Sequence, residues 1–259
     1  MKIDFSTPIT SYELLAITLS ILALLVPIIK AVWKKFFVST VLSFLPTGRA
    51  ILFFNQSGSY IRVDGVLEAD NKPASIKKIT IEVIRKKDDN KLKLSWSSFI
   101  SPVNQNVVGN YLQTTESAHP LRIEANSIIC AFTEFGDAFD SFGKKFRANT
   151  EVLFQKIDQL RKIYSNYSAS VEAYKKLPEY NIAKEVLNKE FFWEIGKYDV
   201  IITVNYNQKS KQFKYELSVG EQENKLLLNN IEEALVTPLK TSYGVRWEYQ
   251  TAFVELVEK

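Results

Sequence analysis

The sequence predicts a mainly β (α+β) chain: a single N-terminal transmembrane helix, then a β-sandwich, immunoglobulin-like or similar, with an inserted helical segment. Three observations predict it. Leu14 to Trp33, LLAITLSILALLVPIIKAVW, is the one long apolar run and carries a single charge, Lys30. Stretches on both sides of the chain's middle alternate apolar and polar residues with period two, separated by polar turns. Between them, at about residues 137–193, the spacing becomes helical. Many short strands with turns every ten or so residues fit a sandwich.

At about 1.5 Å per residue the apolar run reaches roughly 30 Å, the thickness of a bilayer's hydrocarbon core. Thr10 and Glu13 have the spacing of a capping box. Tyr12 and Trp33 mark the two ends, where aromatic rings prefer the headgroup level. Pro27 is tolerated in a membrane helix, and Lys30 can reach outward along its own stem. A soluble core helix would show a polar face, and this one has only Thr18 and Ser20. A cleaved signal peptide would rest on Lys2 and the α-amino group, offset by Asp4 and Glu13, with no small-residue cleavage site after the run.

Lys30, Lys34, Lys35 and Arg49 follow the apolar core, and no acidic residue occurs until Asp64. The positive-inside rule then places residues 34–259 in the cytoplasm and the short N-terminus outside. The same lysines suit anionic headgroups. The expected division is residues 1–35 as tail and membrane helix, 36–48 as a juxtamembrane segment, and 49–259 as one soluble domain. Phe36, Phe37, Val41, Leu42, Phe44 and Leu45 are apolar with irregular spacing, which fits a segment continuing the helix or lying along the interface. Pro46-Thr47-Gly48 marks the start of the domain.

Ile51 to Phe54 is read as a strand ending in the turn Asn55-Gln56-Ser57-Gly58. Tyr60 to Glu68 follows. Ile79, Ile81 and Val83 pair across the turn Lys86–Asn90 with Leu92, Leu94 and Trp96, the clearest hairpin in the chain. Val107 to Leu112 and Leu121 to Phe132 are further strands. Leu153, Ile157, Leu160, Tyr164, Tyr167, Val171 and Tyr174 form a seam spaced by four and three, expected to pack within the chain. Leu177-Pro178 ends that helix, and Ile182, Val186 and Leu187 give a second one leading to Phe191, Phe192 and Trp193. Tyr198 to Tyr206 and Phe213 to Val219 form a second hairpin, expected to pair with strands before the insertion. Asn229 to Val236 reads as a short helix, and Val245, Trp247 and Tyr249 as a last strand. Trp96 and Trp247 are both expected in the core.

The composition, 46% apolar and 24% charged, supports a folded core and excludes disorder. One cysteine, Cys130, excludes an intramolecular disulfide and a cysteine-rich zinc site. A net charge of +4 without any recognisable nucleic-acid motif gives no nucleic-acid partner. There is no phosphate-binding glycine loop and no GxSxG elbow. The lone histidine, His119, is read as a surface-loop residue, and Cys130, inside Ile128–Phe132, as a core thiol. Glu134, Asp137 and Asp140 could hold a hard cation, but they fit helix capping better.

No catalytic, cofactor-binding or metal-binding residue is assigned, and no cofactor or metal is expected. The expected function is a membrane-anchored, non-enzymatic binding or adaptor module, in which the cytoplasmic β-sandwich takes a protein partner or small ligand. One alternative is a membrane-acting effector, for example of a defence system, in which the soluble domain senses a ligand and the transmembrane helices assemble. That helix would also be the route to any oligomer. A second alternative is a hydrolase whose site no linear motif reveals.

Overall fold

The structure, a computed structural model, describes the backbone of residues 10–107 and 110–259, and side chains outside 101–114. The chain begins with helix α1 (Ser11–Phe36), capped by Thr10, whose hydroxyl accepts from the Glu13 amide while the Glu13 carboxylate accepts from the Thr10 amide. None of its residues is buried. It is long and apolar enough to cross a membrane; a signal sequence meets the same description.

Strands β1 (Val41–Asn55), β2 (Gly58–Asp70), β3 (Ala74–Arg85) and β4 (Asn90–Val107) follow. Then come β5 (Asn110–Ser117), β6 (Leu121–Ile123) and β7 (Ser127–Gly136). Helices α2 (Ser141–Ile163), α3 (Tyr167–Lys175) and α4 (Pro178–Glu190) precede β8 (Gly196–Tyr206) and β9 (Lys209–Val219). Helix α5 (Glu221–Ser242) and β10 (Ala252–Glu258) complete the chain.

The strands correct the sandwich expectation. They form one antiparallel sheet in the order β4-β7-β2-β1-β10-β9-β8-β3, and β3 pairs back onto β4, so eight strands close into a barrel. β5 and β6 extend β4 and β3 beyond the closed ring. Period-two alternation is common to sandwich and barrel; only the pairing of the first and last strands separates them. Two bent strands make that closure. β1 shifts register between Pro46 and Ala50, with Gly48 at φ 80°, so its first half pairs with β2 alone and its second half with both β2 and β10. β4 pairs with β3 through Ser95, with β7 from Ser95 to Phe99 and with β5 from Ser98 onward, and its register shifts between Trp96 and Ser98 against β7 and between Ile100 and Asn104 against β5. The expected juxtamembrane segment is therefore largely β1, and Pro46-Thr47-Gly48 is a bulge inside a strand.

Inward-facing Leu52, Ile61, Val63, Ile81, Val83, Val200, Ile202 and Leu256 fill the barrel, as eight-stranded closure requires. Both expected hairpins form, β3–β4 and β8–β9, and β8 pairs with β3 across the helical insertion. The Leu121–Phe132 stretch is two strands, broken at Glu124–Asn126. Residues 108 and 109 of the expected Val107–Leu112 strand lie outside the described residues. Trp96 is buried at 9% exposure, but Trp247 is 45% exposed in the connection after α5. The last strand begins at Ala252, three residues beyond the alternation read at 245–249.

The seam packs within the chain, but on two helices. Leu153, Ile157 and Leu160 are buried on α2, the chain turns at Tyr164, and Tyr174 is buried on α3. On α4 the buried face is Tyr180, Ala183 and Leu187, while Ile182 is exposed. Helix α5 is far longer than the eight residues expected. It lies against the ends of β1 and β10, where the Gln56 amide donates to Ala234 O at 2.9 Å.

The two barrel rims differ. One holds the β1–β2 turn, the β3–β4 turn, the end of β7, the start of β8 and the end of β9, and α2 to α5 all connect there. The other holds the start of β1, where α1 enters, together with the β2–β3, β6–β7 and β8–β9 turns.

Candidate functional site

A cleft of about 570 Å³ opens at the helix-bearing rim, among the start of β2, the β3–β4 hairpin, the 137–142 connection and the end of α4. Its volume lies within the usual range for small-molecule sites. The β1–β2 turn approaches closely there because Gly58 has φ 104°; a Cβ would meet the Phe142 ring at 3.0 Å. Ser59 follows, 8% exposed, and its hydroxyl has no hydrogen-bond partner among the described residues. A buried polar group without a partner is uncommon and calls for an explanation.

Cations outnumber carboxylates around this cleft. Arg85, Lys91, Lys93, Lys145 and Lys189 face Asp137, Glu190 and Glu194. Arg85 is the fixed member, 5% exposed. Its Nε and Nη2 donate to Asp88 at 2.9 and 2.8 Å, and its Nη1 donates to Phe192 O at 3.2 Å and lies 2.5 Å from Glu194. The guanidinium also lies over the Phe192 ring, 5.6 Å from its centre. Burial works against the Arg85 charge, but the Asp88 hydrogen bond and the Glu194 carboxylate outweigh it and raise the pKa. Lys145 pairs with Glu190 at 3.3 Å and Lys93 with Glu82 at 3.4 Å. Lys91 and Lys189 make no ion pair among the described residues.

The acidic trio does not converge. The Asp137 carboxylate accepts from the amides of Phe139, Ser141 and Phe142 at 3.0, 2.6 and 3.2 Å, closing the start of α2. Burial works to raise its pKa, but those amides outweigh it and hold the carboxyl below the usual range. Asp140 stands at the N-cap position with φ 51°, makes no capping bond and pairs with Arg147. Glu134 is on β7, where burial pushes its carboxyl up and Arg62 acts against that. No group of residues able to hold a metal ion occurs among the described residues.

His119 and Cys130 come together elsewhere, on a depression of about 220 Å³ that also includes Phe99 and Glu116. His119 is exposed, its Nδ1 3.0 Å from Ser117 O. No hydrogen bond links it to Cys130 or Glu116 among the described residues. Cys130 is exposed, which corrects the core-thiol expectation. Ala131, Thr133 and Phe135 point inward, so Cys130 takes the outer parity of β7. The unbroken apolar run Ile128–Phe132 hid that parity.

Sequence reasoning missed Arg85, Ser59 and Lys189. One signal was available: Ile79, Ile81, Val83 and Arg85 share one parity, so the inward face of β3 ends on a charge. No protein-family model and no curated protein matches this chain.

Proposed function

We propose that this chain is a membrane-anchored binding module: α1 holds it in the bilayer, the barrel lies in the cytoplasm, and the rim cleft takes a small anionic ligand. The excess of cations in the cleft, with Lys91 and Lys189 free of ion pairs among the described residues, is the observation that carries this reading. The packed barrel interior supports a site on the rim rather than inside. The exposed apolar surface of α1 supports an anchor, and Lys34 and Lys35 after it support the cytoplasmic side.

The full-length protein in detergent is to be titrated with adenosine monophosphate and with inorganic pyrophosphate while its melting temperature is followed. A ligand at a hundred times its Kd stabilises the folded state by about 2.7 kcal/mol. At least one probe is expected to raise the Tm, and the double substitution Lys91→Glu with Lys189→Glu is expected to abolish that rise while leaving the unliganded Tm unchanged. No shift with either probe contradicts an anion-binding cleft.

A further inference from the structure

The barrel is tied to α1 by only four residues, 37–40, and that connection is fastened to the rim. The Thr40 hydroxyl donates to Pro73 O at 3.3 Å and accepts from the Asn207 amide at 3.1 Å. The same Asn207 amide donates to Pro73 O at 2.7 Å, and its Oδ1 accepts from the Ser75 amide. Lys72 Nζ reaches back to Lys35 O at 2.6 Å. A helix held this way fixes which end of the barrel faces the surface it leaves.

That end carries an excess of positive charge, although Asp70 at the end of β2 is a carboxylate without an ion pair among the described residues and Glu124 is paired with Arg122. Lys34, Lys35, Lys72, Lys77, Lys78 and Lys209 lie on the last turn of α1 or at this rim, and none pairs with a carboxylate among the described residues. The far rim carries more ion pairs, although Lys91, Lys144, Lys189 and Lys225 make none among the described residues. There Lys86 pairs with Glu216 and Asp199, Lys87 with Glu194, and Arg85 with Asp88 and Glu194. Lys145 and Arg147 pair with Glu190 and Asp140. Both rims are rich in lysine, so overall composition does not account for the difference. Exposed Phe36, Phe37 and Val41 sit beside the unpaired lysines, an apolar fringe at the height where α1 would leave a bilayer.

We infer that the α1-bearing rim is a contact surface for anionic lipid, with the β2–β3 and β8–β9 turns at the headgroup layer and the ligand cleft facing away from the membrane. The inference rests on α1 being a retained anchor. Attraction between such lysines and acidic headgroups is electrostatic, so it weakens as salt shortens the screening length.

The test uses the full-length chain in nanodiscs of phosphatidylcholine, with and without phosphatidylserine. Lysines are pulse-acetylated and counted by mass spectrometry. Lys77 and Lys209 are expected to label several-fold more slowly in the anionic discs and to recover in molar sodium chloride. Lys91 and Lys225, on the far side, are expected to label equally in both. Incorporation with equal labelling of Lys77 and Lys209 in the two lipids overturns this inference alone. Failure to enter discs of either composition overturns the anchor and this inference with it.

Discussion

Trp193→Ala is expected to be among the most damaging single substitutions in the soluble part of the chain, costing about 4 kcal/mol. Trp193 is fully buried and joins three layers. Its indole N–H donates to Phe53 O on β1 at 2.9 Å, and its carbonyl accepts from the Asn224 side chain on α5 at 2.8 Å. Its ring packs against Phe192 and Tyr198. Truncation opens a cavity and leaves Phe53 O without its donor. Trp193→Phe keeps most of the buried area and loses that one bond, so about 1–2 kcal/mol is expected. Urea unfolding of the full-length protein in detergent, followed by circular dichroism, reads both. A loss below about 1 kcal/mol for the alanine variant would mean that the helices do not depend on this junction.

Arg85→Met is expected to cost about 1–3 kcal/mol: the guanidinium is buried, but its partners Asp88 and Glu194 are 41% and 40% exposed, so the carboxylates left behind are solvated. Methionine keeps the stem but removes the bonds to Asp88, Glu194 and Phe192 O. It leaves the β3–β4 turn tied to the α4–β8 connection by the Lys87–Glu194 pair without the buried guanidinium. Burial pushes the neighbouring Tyr198 phenol up to about 12, so it stays a neutral donor to Phe192 O and Glu194 O. The pH dependence has a definite sign. The Asp88 carboxyl is lowered chiefly by its hydrogen bond to Arg85, and Glu194 chiefly by Lys87, with Arg85 adding to it. A carboxyl lowered on folding contributes stability that is present above its unfolded pKa, about 4, and is lost as pH falls through the folded value. Wild-type stability is therefore expected to fall on acidification below about pH 4, with a shallower fall in Arg85→Met. Parallel slopes would show that Arg85 is not the partner setting those carboxyls.

Local structure was legible in this sequence wherever one face of an element is buried and the other is wet. The hairpins around Lys86–Asn90 and Asn207–Gln208 show it, and so does the capping box at Thr10. Barrel closure was not legible, because it depends on which distant strands pair, and β3–β8 joins residues more than a hundred positions apart. The break at Tyr164 was masked by apolar spacing that continues from α2 into α3 as though the helix did not end. Trp247 fell on a short alternation that burial does not support. The cleft was the least legible part. Gly58, Arg85, Phe142 and Lys189 meet only after the helical insertion folds back on the barrel, and no linear spacing records that meeting.

The placement proposed for this chain, and the lipid-facing rim with it, depends on α1 remaining part of a chain whose barrel is cytoplasmic. In-gel fluorescence of a reporter that folds only in the cytoplasm, fused after Lys259, tests both points in carbonate-washed membranes from a bacterial host. The account predicts one fluorescent band of full length in the membrane pellet. A non-fluorescent fusion, or a shortened product released from the membrane, would contradict it.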